Sequence, residues 1–198
     1  MAILVMMEAE GVGKAEYDAT NDALAATGDD GAPDGLITHA AGLTDNGLLV
    51  VDVWESKEKL EAFFNEHLRA ALETAGIPIG EPTVLPVHNV IQQGSGTTAG
   101  TMVVIDMQGF TTDTYDRMVA SMEAHVADGS NHPAVQHVAA VTDDGLLVVD
   151  VWESPEAFAA FAESQIGPAG AVAGMTSPIE PRFLPAIGRQ RGNVAVMR

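Results

Sequence analysis

One stretch of ten residues occurs twice in this chain of 198 residues. Gly47–Ser56 reads GLLVVDVWES, and the same ten letters return at Gly145–Ser154, 98 positions later. The same spacing aligns further identical pairs upstream, namely His39 with His137, Tyr17 with Tyr115 and Gly11 with Gly109. A match of this length does not arise by chance. The chain is therefore an internal duplication of one unit of roughly ninety residues.

A short polar segment marks the join between the two copies. Residues 92–100 read QQGSGTTAG, which is the glycine-rich composition of a flexible linker. We therefore predict a first repeat at 1–93, a linker at 94–100 and a second repeat at 101–198. Two copies are too few for a solenoid, and the arrangement is typical of a homodimer fused into one chain. We expect a monomeric pseudo-dimer, and the sequence leaves further association open.

The same order of secondary-structure elements is predicted in both repeats. In the first repeat the apolar periodicity predicts strands at 3–7, 36–43, 48–54 and 83–91, with helices at 14–27 and after Ser56. Asn46-Gly47 and Asp144-Gly145 are typical of a two-residue type I′ turn between the two central strands. The order β-α-β-β-α-β is the ferredoxin-like arrangement. The predicted fold class is α+β, with two tandem ferredoxin-like repeats.

The central strand of each repeat is apolar on both of its faces, as the run LLVV from Leu48 to Val51 shows. A sheet that has helices on one side and water on the other would alternate apolar and polar residues. We therefore expect the second repeat to cover the second face. The result would be two sheets face to face with the helices outside, forming a fused pseudo-dimeric α/β barrel.

The charge of the chain excludes several classes of partner. Twenty-eight acidic residues against nine basic ones give a net charge of -19, whereas nucleic acids and anionic membranes attract clustered lysine and arginine. No apolar run approaches the ~20 residues that span a bilayer. The chain has no cysteine, and no basic-flanked signal segment precedes its first strand. We expect a cytoplasmic protein that binds neither nucleic acid nor membrane.

Three side chains with useful chemistry share one face of the central hairpin. A two-residue turn would set His39 opposite Trp54, and a four-residue loop would set His39 opposite Asp52. In both registers His39, Asp52 and Trp54 point to the same side, because side chains alternate along a strand. The second repeat places His137, Asp150 and Trp152 in the same relation.

This cluster has two interpretations. In the functional one, Asp52 orients His39 as a general base or hydrogen-bond partner, and Trp54 stacks on a flat ligand. In the structural one, the histidine and aspartate satisfy each other inside a packed core. The candidate catalytic residues are His39, Asp52, His137 and Asp150, and the candidate ligand-binding residues are Trp54, Trp152, Tyr17 and Tyr115.

The remaining candidates are less informative. A tyrosine lies one turn into the first helix of each repeat, either as a core residue with its hydroxyl at the surface or as a proton donor. The histidines without a counterpart are interpreted as surface or edge residues, with a pocket role in one repeat only as the alternative: His67, His88, His125 and His132. No spacing resembles a zinc site, a P-loop or a dinucleotide fingerprint. We therefore predict neither a metal nor a cofactor.

The motif Val51-Asp-Val-Trp-Glu-Ser56, followed by a helix that carries Phe63, resembles the dimeric α/β-barrel superfamily. The chain is most similar to its antibiotic-biosynthesis-monooxygenase-like members. The resemblance covers nearly the whole chain, once per repeat. It implies a ferredoxin-like fold and activities that range from cofactor-free monooxygenases and lactone isomerases to haem-degrading enzymes.

The sequence departs from the haem-degrading members of that superfamily. Their helix often supplies a histidine ligand where this chain has Phe63 and Phe161, and the first strands here lack their asparagine. We therefore expect a cofactor-independent monooxygenase-, isomerase- or cyclase-like enzyme that acts on a small apolar, aromatic or polyketide-like molecule. The alternative is a non-catalytic protein that binds a small hydrophobic ligand or has a stress-associated role. Whether both repeats are active stays open, because their second helices differ.

Overall fold

The computed structural model of this chain describes residues 1–26, 32–92, 100–122, 132–175 and 179–192. The elements of the first repeat are β1 (Ile3–Glu10), α1 (Lys14–Ala25), β2 (Leu36–Leu43), β3 (Gly47–Trp54), α2 (Lys57–Phe63), π1 (Phe64–Leu68), α3 (Arg69–Ala75) and β4 (Thr83–Gln92). Those of the second repeat are β5 (Thr101–Gln108), α4 (Thr112–Ser121), β6 (Gln136–Val141), β7 (Gly145–Trp152), α5 (Pro155–Phe161), π2 (Ala162–Ile166), α6 (Gly167–Ala173) and β8 (Arg182–Arg191). The α+β class and the two β-α-β-β-α-β repeats are confirmed.

Some predictions lie outside the described residues. The predicted linker at 94–100 lies outside them, except for Gly100. His125 and the predicted ends of the first helix in each repeat also lie outside the described residues. In the described part of the chain, no helix combines the length and the apolar character needed to cross a membrane.

The described residues divide into two compact units. Unit 1 contains residues 1–86 and 185–192, and unit 2 contains residues 87–184. The boundaries fall inside the strands β4 and β8, so each of these strands contributes one part to each unit. The folded units therefore differ from the sequence repeats at the last strand of each repeat.

Both units have the same strand order. In unit 1 the antiparallel sheet runs β4–β1–β3–β2–β8, and its first four strands have the ferredoxin-like order. In unit 2 the order is β8–β5–β7–β6–β4. The duplication is thus visible in backbone pairing as well as in sequence.

The second helix of each repeat begins after a serine that caps it, as the sequence predicts for Ser56. The hydroxyl of Ser56 accepts a hydrogen bond from the amide of Lys59 at 3.5 Å, and Ser154 accepts one from Ala157 at 3.2 Å. Such caps satisfy amides that have no partner inside the helix. Gly76 closes its helix with a φ of 72°, a left-handed conformation that favours glycine.

The predicted type I′ turn is wrong. Leu43 pairs with Leu48, so four residues form the loop, and His39 lies directly opposite Asp52. Among the described residues a positive φ occurs only at glycines, and Gly47 is not one of them. Gly47 is instead required because a Cβ there would collide with the carbonyl oxygen of Ala9 on the neighbouring strand.

A π-helical segment interrupts the second helix of each repeat, which the sequence did not predict. In unit 1 the amide of Arg69 bonds to the carbonyl of Phe64, five residues earlier. The extra residue in this turn changes which side chains face the sheet. Such segments are often found at functional sites.

The two faces of β3 are both largely buried, as predicted. Leu49, Val51 and Val53 form an aliphatic face whose side chains are at most 2% exposed. On the opposite face, Leu48 packs with Tyr17 of α1 and other side chains of the helical layer of unit 1. That second face carries the candidate residues.

Candidate functional site

Tyr17, His39 and Asp52 form a continuous hydrogen-bonded chain in unit 1. The pairing of β2 with β3 sets His39 opposite Asp52, and Nδ1 of the imidazole lies 2.7 Å from Oδ1 of the carboxylate. Helix α1 crosses the same face of the sheet, and the hydroxyl of Tyr17 lies 2.8 Å from Nε2 of His39. Side chains of α1, β2 and β3 therefore meet at the imidazole of His39.

The partners of His39 determine where its proton lies. An ionised carboxylate only accepts hydrogen bonds, so Nδ1 carries the hydrogen and donates it to Asp52. In the neutral ring Nε2 is then an acceptor, and the hydroxyl of Tyr17 donates to it. The chain can pass a proton from Tyr17 to His39, with Asp52 stabilising the imidazolium that forms.

Unit 2 contains the same arrangement. The hydroxyl of Tyr115 lies 2.7 Å from Nε2 of His137, and Nδ1 of His137 lies 2.7 Å from Oδ1 of Asp150. The interpretation that placed the tyrosine hydroxyls at the surface is wrong, because both of them bond to a histidine. The sequence carried no signal for this contact, because the equal separation of 22 residues between tyrosine and histidine follows from the duplication itself.

A large cleft adjoins the Tyr17–His39–Asp52 chain in unit 1. Its volume is about 900 Å³, and both His39 and Asp52 line it, with side chains that are 18% and 17% exposed. Most of the remaining wall is aliphatic or aromatic, with contributions from β1, α1 and the second helix. The volume is in the range of small-molecule sites, and such sites combine an apolar wall with a few polar groups.

Trp54 adds an unpaired hydrogen-bond donor to the wall of this cleft. The residue is 1% exposed, and its Nε1 has no hydrogen-bond partner among the described residues. Its ring packs against Phe63, with 5.3 Å between centroids. A buried N–H without a partner costs free energy, so a ligand with an acceptor oxygen at this point would relieve that cost.

The π-helical segment π1 contributes three side chains to the wall of the cleft, those of Phe64, His67 and Leu68. The imidazole of His67 lies 5.9 Å from the ring of Phe63. The position of His67 in the cleft wall matches the alternative interpretation, a pocket position in one repeat only. Its counterpart in the second repeat is Gln165, so any role of His67 belongs to unit 1.

The corresponding space in unit 2 is nearly filled. A cavity of about 50 Å³ remains beside His137 and Asp150, whose side chains are 10% and 5% exposed. His132 lies over His137, with 5.4 Å between ring centroids, and is buried. The interpretation of His132 as a surface residue is therefore wrong. His88 is partly exposed and pairs with Asp116 at 2.7 Å.

Burial changes the acid–base behaviour of three of these groups. It raises the pKa of Tyr17 above its usual value of 10.0, partly offset by a hydrogen bond from Asn21, and the charge of Asp52 raises it further. Burial raises the pKa of Tyr115 still more strongly. Burial lowers the pKa of His132 to about 4, and the neighbouring His137 contributes in the same direction. Both tyrosines therefore keep their protons at neutral pH, and His132 is neutral there.

The described residues contain no group of three or more His, Asp and Glu side chains placed to hold a metal ion. The polar groups of the cleft include the hydrogen-bonded Tyr17, His39 and Asp52. The indole N–H of Trp54 is an additional donor.

Comparison with known proteins identifies relatives only by structure. No protein-family model matches this sequence, and no curated protein is similar to it in sequence. A "putative monooxygenase" from Lactobacillus acidophilus NCFM superposes with a TM-score of 0.70 at 12% identity, over 100% of this chain and 99% of that one. Another "putative monooxygenase", from Fusobacterium nucleatum, gives a TM-score of 0.65 at 10% identity, over 100% and 97%.

A third solved structure links the fold to the resemblance found in the sequence. It is an uncharacterized ferredoxin-fold protein from Listeria monocytogenes related to antibiotic biosynthesis monooxygenases, with a TM-score of 0.50 at 8% identity. The alignment covers 93% of this chain and 94% of that one. The chain therefore shares its duplicated ferredoxin-like fold with these solved structures over nearly its full length.

Proposed function

We propose that this chain is a monooxygenase-like enzyme that needs no cofactor and acts on a small apolar, aromatic or polyketide-like molecule bound in the cleft of unit 1. The observation that carries the proposal is the Tyr17–His39–Asp52 chain in the wall of an apolar cleft of about 900 Å³. A proton-transfer chain beside a space of this kind suits a substrate whose reaction begins with loss of a proton. The fold that the chain shares with the two putative monooxygenases supports the same class of chemistry.

The first step removes a proton from an activated carbon, such as a methylene group next to a carbonyl on an aromatic ring. The proton moves to the oxygen of Tyr17 while the proton of Tyr17 moves to Nε2 of His39. Asp52 stabilises the imidazolium that results. The raised pKa of Tyr17 fits this order, because the residue stays protonated until the substrate is bound.

The second step consumes dioxygen as the co-substrate. The carbanion transfers its electrons to dioxygen and forms a carbon–oxygen bond, and the imidazolium of His39 returns its proton through Tyr17 to give a hydroperoxide. Loss of water from the hydroperoxide leaves a carbonyl. In total, one methylene and one dioxygen give one carbonyl and one water, so atoms and electrons balance.

Trp54 and the apolar wall position the substrate for this chemistry. The unpaired indole N–H of Trp54 is a donor for a carbonyl or phenolate oxygen on the substrate. Negative charge that develops on that oxygen during proton removal strengthens the hydrogen bond. The aromatic side chains Phe63 and Phe64 would then pack against the rings of the substrate.

The test uses matched substitutions in the two units. Dioxygen uptake and product mass are measured with a panel of tricyclic aromatic ketones that carry an activated methylene. We expect His39→Gln to lower kcat by about 10²–10⁴-fold, as for the loss of a general base, and His137→Gln to leave it unchanged. Turnover by His39→Gln at the wild-type rate would contradict the proposal.

A non-catalytic ligand-binding role is the second candidate. The hydrogen-bonded chain of unit 2 supports the idea that such a chain need not be catalytic. There the same three side chains form a closed buried network, so a Tyr–His–Asp chain can be purely structural. This alternative predicts that ketones bind to the wild type without uptake of dioxygen and without any change of mass. Isomerisation or cyclisation would instead change the product without consuming dioxygen.

A further inference from the structure

The two units carry the same hydrogen-bonded chain but differ in the space beside it. In unit 1 the space is a cleft of about 900 Å³, whereas in unit 2 it is a cavity of about 50 Å³. The first strand pairs with the central strand in the same register in both units, since Val5 pairs with Asp52 and Val103 pairs with Asp150. The difference therefore does not arise from the pairing of these strands.

Three substitutions between the repeats place larger apolar side chains beside the hydrogen-bonded chain of unit 2. Positions that line the cleft in unit 1 are small or polar, and their counterparts 98 residues later line the unit 2 cavity with larger apolar side chains. The pairs are Ala9 with Met107, Thr20 with Met118 and Asn21 with Val119. Methionine adapts its shape to irregular gaps, so two methionines close this space efficiently.

His132 fills the space over the imidazole of His137. Its counterpart in the first repeat is Asp34, which lies at the surface and pairs with Lys59. The ring of His132 lies 5.3 Å from that of Phe161, and its Nδ1 accepts a hydrogen bond from the amide of Ala134 at 3.1 Å. These contacts hold the ring in place as part of the core.

The polar groups of the unit 2 chain have protein partners. Asn89 donates to the hydroxyl of Tyr115 at 2.9 Å, and the indole of Trp152 donates to Oδ2 of Asp150 at 3.3 Å. The second repeat has one extra residue before its last strand, so the counterpart of Asn89 lies 99 positions later, and it is Gly188 of unit 1. The indole of Trp54 has no partner among the described residues. In unit 1 the indole N–H of Trp54 is therefore left for a ligand, whereas the indole N–H of Trp152 in unit 2 already has a protein partner.

We infer that unit 2 contains a latent ligand site, closed by its own side chains, and that each chain binds one flat apolar molecule, in unit 1. Met107, Met118, Val119 and His132 are the residues that close the second site. The ligand class is the one that we propose for the cleft of unit 1, so the inference rests on ligand binding there. It does not depend on turnover.

The experiment counts binding sites in wild type and in two reciprocal variants. The probe is anthraquinone, a flat apolar tricycle with acceptor oxygens, and its stoichiometry is measured by equilibrium dialysis and native mass spectrometry. The opening variant carries Met107→Ala, Met118→Thr, Val119→Asn and His132→Ala, which restores first-repeat side chains at three positions. The closing variant carries the reverse changes in unit 1, Ala9→Met, Thr20→Met and Asn21→Val.

We expect one bound probe per chain in wild type, two in the opening variant and none in the closing variant. Circular dichroism and thermal unfolding establish that each variant is folded. Two probes or none on the wild type would overturn the inference, as would a folded opening variant that still binds one. If the opening variant does not fold, the wild-type count and the closing variant decide, because a probe retained by the closing variant contradicts a site in unit 1. A single bound probe without turnover would support this inference and contradict the proposed enzyme activity.

Discussion

The indole nitrogen of Trp152 lies 3.3 Å from Oδ2 of Asp150, and this hydrogen bond has no equivalent in unit 1. Both tryptophans are fully buried at the same position of the same strand of their repeat. The same sequence motif therefore produces a satisfied polar group in one unit and an unpaired donor in the other. The two tryptophans should respond differently to the same substitution.

We expect Trp152→Phe to lower the free energy of unfolding by about 1–2 kcal/mol more than Trp54→Phe does. Both changes remove a similar apolar area, but only Trp152→Phe removes a hydrogen bond to a buried carboxylate. Urea denaturation of the two variants measures the difference. Equal losses would show that the contact between Trp152 and Asp150 contributes nothing.

The two tyrosines provide a test by titration. The chain contains two tyrosines, and each one belongs to a Tyr–His–Asp chain. We expect both to ionise above the usual pKa of 10.0, because burial disfavours the phenolate, and Tyr115 to ionise at higher pH than Tyr17. The ultraviolet absorbance of tyrosinate in Tyr17→Phe and Tyr115→Phe measures each residue separately. Titration of either tyrosine at or below 10.0 would contradict its burial in the network.

His132 should make the stability of the protein sensitive to acid. Its pKa is lowered from 6.5 to about 4 in the folded protein, chiefly by burial, so the unfolded chain binds a proton first as pH falls. The contribution of neutral His132 is fully present above 6.5 and is lost progressively as pH falls toward 4. The loss amounts to about 3 kcal/mol, from about 1.4 kcal/mol per pKa unit.

The comparison with His132→Phe isolates this effect from the many carboxylates of the chain. Phenylalanine keeps the ring in the core but cannot bind a proton. We expect the difference in unfolding free energy between wild type and variant to change over this pH interval. A difference that stays constant with pH would mean that His132 does not titrate in the manner that its burial requires.

Gly47 should be intolerant of any side chain. We expect Gly47→Ala to lower the free energy of unfolding by about 2–4 kcal/mol, because its Cβ would collide with the carbonyl of Ala9. Gly80→Ala is the matched control, since no atom lies within 4 Å of a Cβ there, and it should be close to neutral. Similar unfolding free energies for the two variants would contradict the close approach of β1 to Gly47.

The fold could be predicted from the sequence because it depends on local patterns that occur twice. The cap at Ser56, the stop at Gly76 and the alternation of side chains along β3 each reflect an interaction between near neighbours. The hairpin register was less certain, because Asn46-Gly47 is typical of a tight turn. The glycine is needed for the approach of β1, a strand far away in sequence, and no local pattern records such a contact.

The candidate site was only partly predictable for the same reason. Period-two alternation placed His39 and Asp52 on one face, and the structure joins them. The bond from Tyr17 to His39 depends on how α1 crosses the sheet, and His67 lines the cleft from the π-helical segment, which the sequence did not predict. The difference in volume between the units involves aligned pairs such as Ala9 and Met107, and the sequence alone does not show that these positions face the same space.

The division of β4 and β8 between the two units has a consequence for the history of the chain. The segment that was duplicated is not the segment that folds, because unit 1 includes residues 185–192 from the end of the second repeat. A half-length ancestor would have exposed the edge of β2 that β8 now occupies, and an exposed strand edge recruits another chain. Gene fusion would have converted that obligatory partner into a covalent one, after which the two copies no longer had to remain identical.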